Sequence, residues 1–273
     1  MTLTAIVTPF FDDYSIDYLS FTKLLKLQFE SSVDGIVALG STAETIALKE
    51  QEQEQILNFI LDYKLKNNFH KKVFVGVSSS STVEVLDRLT RYNSLPIDGY
   101  LLCTPAYNKP QQQGLINHFV TCCDATTKPV IMYNVPGRTG INMDPNSYVA
   151  VAKQVKNKLY IKEANDNSTH ICNLFLAVRN AQSDGISIEI LSGNDDMTPF
   201  FNQLGGRGLI SVLSNLEPNL VVTMANGDID AYFECLPKIK ACFEQTNPVP
   251  IKNMLYKAGI ITTNQVRMPL LRM

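Results

Sequence analysis

Two residues in neighbouring apolar runs carry the most chemistry in this sequence: Lys162 in Leu159-Tyr160-Ile161-Lys162-Glu163 and Tyr133 in Pro129-Val130-Ile131-Met132-Tyr133-Asn134. Both runs read as buried strands. A lysine near the end of such a strand loses hydration, which disfavours the ammonium, so its pKa falls and part of it is a neutral amine that attacks carbonyl carbons. The two positions are 29 residues apart (162 minus 133), about one strand-helix-strand repeat, which in a parallel sheet puts them at the same end of adjacent strands. A phenol beside an amine nucleophile suggests Schiff-base chemistry with a proton relay. The competing readings are a Lys162 that snorkels or pairs with adjacent Glu163, and a Tyr133 that is a packed aromatic with a satisfied hydroxyl.

Gly40-Ser41-Thr42-Ala43-Glu44 follows the second strand run and precedes a helix. Backbone N–H groups at such a turn cradle a carboxylate while the two hydroxyls donate hydrogen bonds or relay a proton; an ordinary Ser/Thr-capped helix start fits the same letters. Asn134-Val135-Pro136-Gly137-Arg138-Thr139-Gly140 is a rigid loop just beyond Tyr133. Its Arg138 offers a bidentate fork to a substrate carboxylate, or else a surface ion pair. Gly205-Gly206-Arg207-Gly208 precedes a strand instead of following one, so close backbone packing is the better reading than dinucleotide binding. His70, His118 and His170 are dispersed, and no Cys, His, Asp or Glu spacing resembles a metal site.

These residues need a scaffold, and the sequence alternates short β-rich runs with stretches of helical period. Strand candidates are Leu3 to Thr8, Gly35 to Leu39, Lys72 to Val77, Gly99 to Thr104, Val130 to Asn134, Tyr160 to Glu163, Ile188 to Ser192 and Gly208 to Ser211. Helices from Asp17 to Phe29 and from Gln51 to Tyr63 show the apolar spacing, and Ser81 and Asp144 mark further helix starts. Eight repeats, nearly all ending in a hydroxyl, amide, charge or glycine, select an α/β fold of the (β/α)8 TIM-barrel type, whose site lies at the C-terminal strand ends. Residues 1-230 are assigned to the catalytic barrel. From Ala231 onward the pattern is wholly helical, so 231-273 is assigned to a small C-terminal α-helical domain.

At 273 residues and 45% hydrophobic, the chain fits one barrel of about 250 residues with a small appendage. A formal net charge of -2 leaves no basic field for nucleic acid or anionic lipid, so the partner is a small molecule. Six cysteines without C-x-x-C spacing read as reduced thiols. With no secretory signal and no apolar run of the ~18 residues that a span needs, the expected location is cytoplasmic, with no membrane partner.

Taken in order, Thr8-Pro9-Phe10, Gly40 to Glu44, Thr104-Pro105-Ala106-Tyr107-Asn108, Tyr133 to Gly140, Ile161-Lys162-Glu163-Ala164, Ser192-Gly193-Asn194-Asp195, Gly205 to Val212, Asn247-Pro248-Val249-Pro250-Ile251-Lys252 and Arg267-Met268-Pro269-Leu270 resemble the dihydrodipicolinate synthase family of pyruvate-dependent Class I aldolases. The resemblance implies that Lys162 forms an imine with pyruvate and that the derived enamine attacks L-aspartate 4-semialdehyde. It also implies a relay of Tyr133, Ser41 and Tyr107, the last reaching in from a neighbouring subunit, so that a homodimer is needed and a tetramer expected. Thr42 would hold the pyruvate carboxylate and Arg138 that of the semialdehyde, with Gly193 and Ile210 lining the site through their backbones; no cofactor and no metal are implied. Ser41 stands where the family usually has threonine, and Ala43 where it has glycine, which strains the loop if that position needs a positive φ. Ala106 replaces an aromatic of the dimer interface. Ser80 and Gln53 replace an asparagine and a histidine common around the lysine-inhibition site while Glu84 is retained, so feedback by lysine is expected to be weak or absent. The chain ends soon after Leu270, where relatives continue into another helix, which bears on tetramer stability. N-acetylneuraminate lyases and 2-keto-3-deoxy sugar-acid aldolases share the lysine, the tyrosine and the hydroxyl loop, but need hydroxyl-binding groups where Arg138 stands. A catalytically silent barrel with a binding role is the remaining alternative.

Overall fold

The computed structural model describes all 273 residues. Eight strands alternate with helices: β1 (Thr2–Ala5), α1 (Tyr18–Glu30), β2 (Gly35–Ala38), α2 (Glu50–Lys66), β3 (Lys72–Gly76), α3 (Thr82–Tyr92), β4 (Gly99–Cys103), α4 (Gln112–Asp124) and β5 (Val130–Asn134). The order continues with α5 (Pro136–Thr139), α6 (Pro145–Ala152), β6 (Leu159–Glu163), α7 (Ser168–Ser183), β7 (Ile188–Ser192), α8 (Thr198–Leu204), β8 (Leu209–Ser211), α9 (Pro218–Ala225), α10 (Ile229–Cys242) and α11 (Val249–Lys257). The strands close into a barrel in sequence order, so the fold is the expected (β/α)8 barrel with a helical C-terminal part. β5 and β6 are buried along their whole length, the behaviour of parallel strands covered on both faces.

Most expected strand bounds fall within a residue or two of those observed, with β1 the exception in ending at Ala5 instead of Thr8. Asp17 caps α1 by accepting from the Ser20 N–H at 2.9 Å. Ser81 and Asp144 occupy cap positions too, but neither side chain makes the cap bond. Instead the Asp144 N–H donates to Gln112 Oε1. No helix is long and apolar enough to cross a membrane, and all six cysteines are free thiols.

The chain forms two compact units, one of Met1–Phe74 with Ile210–Met273 and one of Val75–Leu209. Residues 231-273, with α11 and nearly all of α10, thus share a unit with β1 and β2. Within that unit Asn215 bridges the start of the barrel to its end, accepting from the Val7 N–H and donating to the Ala5 carbonyl. Within the second unit β4 to β7 pair in parallel in a single continuous register. Close packing at the Gly205-Gly206 turn is found as expected, since a Cβ on Gly206 would lie 2.9 Å from the Phe201 carbonyl oxygen.

Candidate active site

In the unit of Val75–Leu209, register puts Cys103 beside Tyr133, Tyr133 beside Lys162 and Lys162 beside Leu191. Each lies at or next to the C-terminal end of its strand. The Lys162 ammonium nitrogen sits 4.3 Å from the centroid of the Tyr133 ring. Burial is the main influence on Lys162 and lowers its pKa from 10.5 to about 8; Asp195 pulls it back up and Arg138 pushes it further down. An amine with that pKa is partly unprotonated near neutral pH, the form able to attack a carbonyl carbon. The Cys103 thiol is pushed up to about 12, chiefly by burial, so it stays protonated and does not compete.

The pairing of Lys162 with Glu163 that the sequence left open does not occur. Successive strand residues face opposite ways, and Glu163, itself wholly buried, points away into a polar cluster. It accepts from Asn134 Nδ2 at 2.9 Å, from the Asn165 N–H at 2.9 Å, and from the Tyr148 hydroxyl at 3.3 Å. His170 Nε2 adds a contact at 3.3 Å. Asn134 also donates to Asn142 at 2.7 Å and accepts from the Met143 N–H at 3.1 Å. Both ends of the segment carrying Arg138 are fastened this way, one by β5 itself and one by this asparagine.

Arg138 lies on the short helix α5, exposed to solvent, and its charge reaches Lys162. Tyr107, in the loop after β4, has a positive φ of 71° and is 89% exposed in the single chain. Gly193 follows β7 and its N–H donates to the Glu163 carbonyl at 2.7 Å. A Cβ there would lie 2.7 Å from that of Ala164, so only glycine permits the approach. Two residues given no role from the sequence belong to this constellation: Asp195, whose charge acts on Lys162, and Cys103, whose buried neutral thiol lies on the strand beside Tyr133. A signal for Asp195 was present in the polar run after β7; Cys103 carried none.

The unit of Met1–Phe74 with Ile210–Met273 holds the remaining candidates. Ser41, Thr42 and Ala43 form a single 3-10 turn after β2, and Glu44 follows in the left-handed conformation at φ 57°. The ordinary capped helix start is therefore not what forms here. Thr42 is buried and its hydroxyl oxygen accepts from Asn247 Nδ2 at 2.9 Å, while Ser41 is exposed. Thr8 at the end of the first run donates to the Ala43 carbonyl at 3.0 Å, and Thr45 donates to that of Gly40 at 2.9 Å. Ile210 is wholly buried in β8.

The sequence model of the dihydrodipicolinate synthetase family matches residues 1–273. The chain belongs to this family. Among curated relatives, the 4-hydroxy-tetrahydrodipicolinate synthase of Endomicrobium trichonymphae is 35% identical over 278 residues, covering 99% of this chain and 91% of the relative. Among solved structures, the dihydrodipicolinate synthase of Thermotoga maritima superposes with a TM-score of 0.91 at 34% identity, covering 100% of this chain and 92% of the other. That of Acinetobacter baumannii, solved with pyruvate, gives a TM-score of 0.90 at 29% identity over 99% and 92% of the two chains. Dihydrodipicolinate synthetase family members are Class I aldolase-type enzymes.

Ala43 is not among the residues of positive φ; the nearest in the chain are Leu39 at 54° before it and Glu44 at 57° after it. The alanine is therefore accommodated without left-handed strain. Gln53 is buried and donates to the Thr45 and Leu48 carbonyls, each at 3.2 Å, so the amide closes the turn locally.

Proposed function

We propose that this chain catalyses the 4-hydroxy-tetrahydrodipicolinate synthase reaction, condensing pyruvate with L-aspartate 4-semialdehyde. The observation that carries the reading is the buried Lys162 amine against the face of Tyr133. The amine attacks C2 of pyruvate and loses water to give an imine. Loss of a C3 proton gives an enamine, whose C3 bonds to the aldehyde carbon of the semialdehyde. The adduct's own amino group then attacks C2, closes the ring and releases Lys162, so one water leaves per turnover. The protons move through Tyr133 with Ser41 and with Tyr107 of a neighbouring copy; the exposed Tyr107 is available for such a role. Thr42 holds the pyruvate carboxylate. Its hydroxyl oxygen already accepts from Asn247, which leaves its own proton for an anion. Arg138 receives the semialdehyde carboxylate as a two-pronged donor, and Gly193 and Ile210 meet the substrate through their backbones. In this reading the enzyme is a cytoplasmic homodimer or tetramer that needs no cofactor and no metal, because its own amine is the electron sink.

Incubation with pyruvate followed by borohydride places the added mass on Lys162. Aspartate semialdehyde is then consumed and N-acetylneuraminate is not; an unlabelled lysine, or cleavage of the sugar acid, overturns the assignment. The replacements at Ser80 and Gln53 lead to weak or absent feedback, checked by an unchanged rate at sub-millimolar lysine.

A further inference from the structure

Four sequence motifs far apart in the chain meet around one buried carboxylate that the reaction itself does not use. Glu44 Oε1 accepts from Lys252 Nζ at 2.7 Å, with the two side chains 0% and 2% exposed. Glu44 Oε2 accepts from the Arg267 N–H at 2.7 Å. The aromatic ring of Phe10 lies under both cations, 4.2 Å from Lys252 Nζ and 4.5 Å from the Arg267 guanidinium carbon. Arg267 is itself fixed by Glu52, whose carboxylate it grips with both terminal nitrogens, and by the Ala47 and Tyr14 carbonyls. Thr8-Pro9-Phe10, the Gly40 to Glu44 turn, Asn247 to Lys252 and Arg267 to Leu270 thereby form one cluster.

Two properties of that cluster call for a role. A buried ion pair is seldom the most stable filling for its space, since apolar residues of the same volume are often as good. Glu44 is also a non-glycine residue in the left-handed region, which persists only where its surroundings over-determine it. Lys252 and Arg267 occupy both carboxylate oxygens and so provide that determination. The residue they fix is the one that ends the Ser41–Ala43 turn, and a third bond from the same C-terminal segment, Asn247 to Thr42, reaches the turn directly.

We propose that the Lys252–Glu44 pair, completed by the Arg267 backbone, is a positioning device through which the C-terminal segment sets the Ser41-Thr42 turn for binding the keto-acid carboxylate. This rests on the reading of Thr42 as the pyruvate carboxylate ligand. Glu44 and Lys252 are positioning residues and do not touch substrate. The device acts on pyruvate binding and leaves the amine chemistry of Lys162 intact, so its signature is a split between half-saturation and rate.

The test is borohydride trapping of Lys162 across a pyruvate titration, in the wild-type chain and in Glu44→Gln. Glutamine keeps the shape, and Lys252, already lowered to about 8, can shed its proton beside a neutral partner. The half-saturating pyruvate concentration is expected to rise about tenfold, the size of one lost charge-assisted hydrogen bond, with the trapped fraction at saturation unchanged. Lys252→Arg, which keeps the charge but replaces a point donor with a planar fork, shifts half-saturation in the same direction. In a Thr42→Val background either substitution adds little, because the effect runs through Thr42. A lowered melting temperature with unchanged half-saturation, or an effect that adds in full to that of Thr42→Val, overturns the proposal. Wild-type chain that is not trapped at all removes the proposed reaction instead, so the two failures are distinct.

Discussion

The molecule holds two buried lysines of nearly equal acidity and different surroundings. Burial brings both Lys162 and Lys252 from 10.5 to about 8. Lys252 has a carboxylate at 2.7 Å and a place between helix, turn and aromatic ring. Lys162 instead looks onto the face of Tyr133, and the charges that reach it, from Asp195 and Arg138, act in opposite senses. Desolvation alone therefore does not make a nucleophile. What differs is whether the nitrogen's direction of approach is already taken. The same contrast recurs one residue along the strand, where Glu163 is as buried as Lys162 but saturated by Asn134, Asn165, Tyr148 and His170.

The sharpest way to break this comparison is to give both lysines the same substitution. Lys162→Met is expected to lower the condensation rate about a thousandfold or more and to abolish borohydride trapping, since no other group supplies the amine. Its effect on folding has the opposite sign. The net lowering of the Lys162 pKa is 10.5 minus about 8, or about 2.5, and at about 1.4 kcal/mol for each the fold carries a penalty on the order of 3 to 4 kcal/mol near neutral pH that Lys162→Met removes. Lys252→Met is expected to cost about 3 to 5 kcal/mol, because it strands Glu44 without its partner. Paired urea titrations check this. If Lys162→Met destabilised the chain as much as Lys252→Met, the amine would be holding the fold together and the distinction would fall.

Titration of stability offers a finer version of the same test. For Lys162 the folded pKa lies below the unfolded one, so between about 8 and 10.5 the unfolded chain binds more protons and the fold gains stability as pH rises. Below that window the penalty is fully present. The Lys162→Met variant lacks this contribution, so the difference in stability between wild type and variant should climb through this interval, while the contribution of Lys252 stays in both curves and cancels.

The first of these lysines was legible in the sequence and the second was not, for a physical reason. Lys162 and Tyr133 declare themselves through local pattern: each nearly closes an apolar run, and the repeat length fixes their register, observed as Tyr133 beside Lys162. The strands follow from the same short-range signals. The Lys252–Glu44 contact spans 208 residues, and no periodicity encodes a pairing made only when the chain closes. The left-handed conformation at Glu44 was missed for that reason too. Suspicion fell on Ala43, the position that departs from a glycine, whereas the positive φ belongs to its neighbour and is enforced from the C-terminal segment. Asp195 was visible as one polar residue in a run, but its influence on Lys162 depends on where the turn after β7 delivers it.

The smallest expected effect is the most discriminating, because it has a sign. Imine formation needs the unprotonated amine, so the rate of trapping at limiting pyruvate rises with pH up to the Lys162 pKa and then levels. Asp195 holds that pKa up and Arg138 holds it down. Asp195→Asn should therefore move the profile to lower pH and leave more free amine at pH 7, whereas Arg138→Gln should move it to higher pH and leave less. A substitution that merely loosened the site would admit water and relieve the desolvation of Lys162, and relief raises the pKa towards its ordinary value whichever residue was changed. Two upward shifts would thus mean that these charges act by packing alone. A downward shift with asparagine at 195 cannot arise from loosening, and it would place that carboxylate among the groups that set the acidity of the reacting nitrogen.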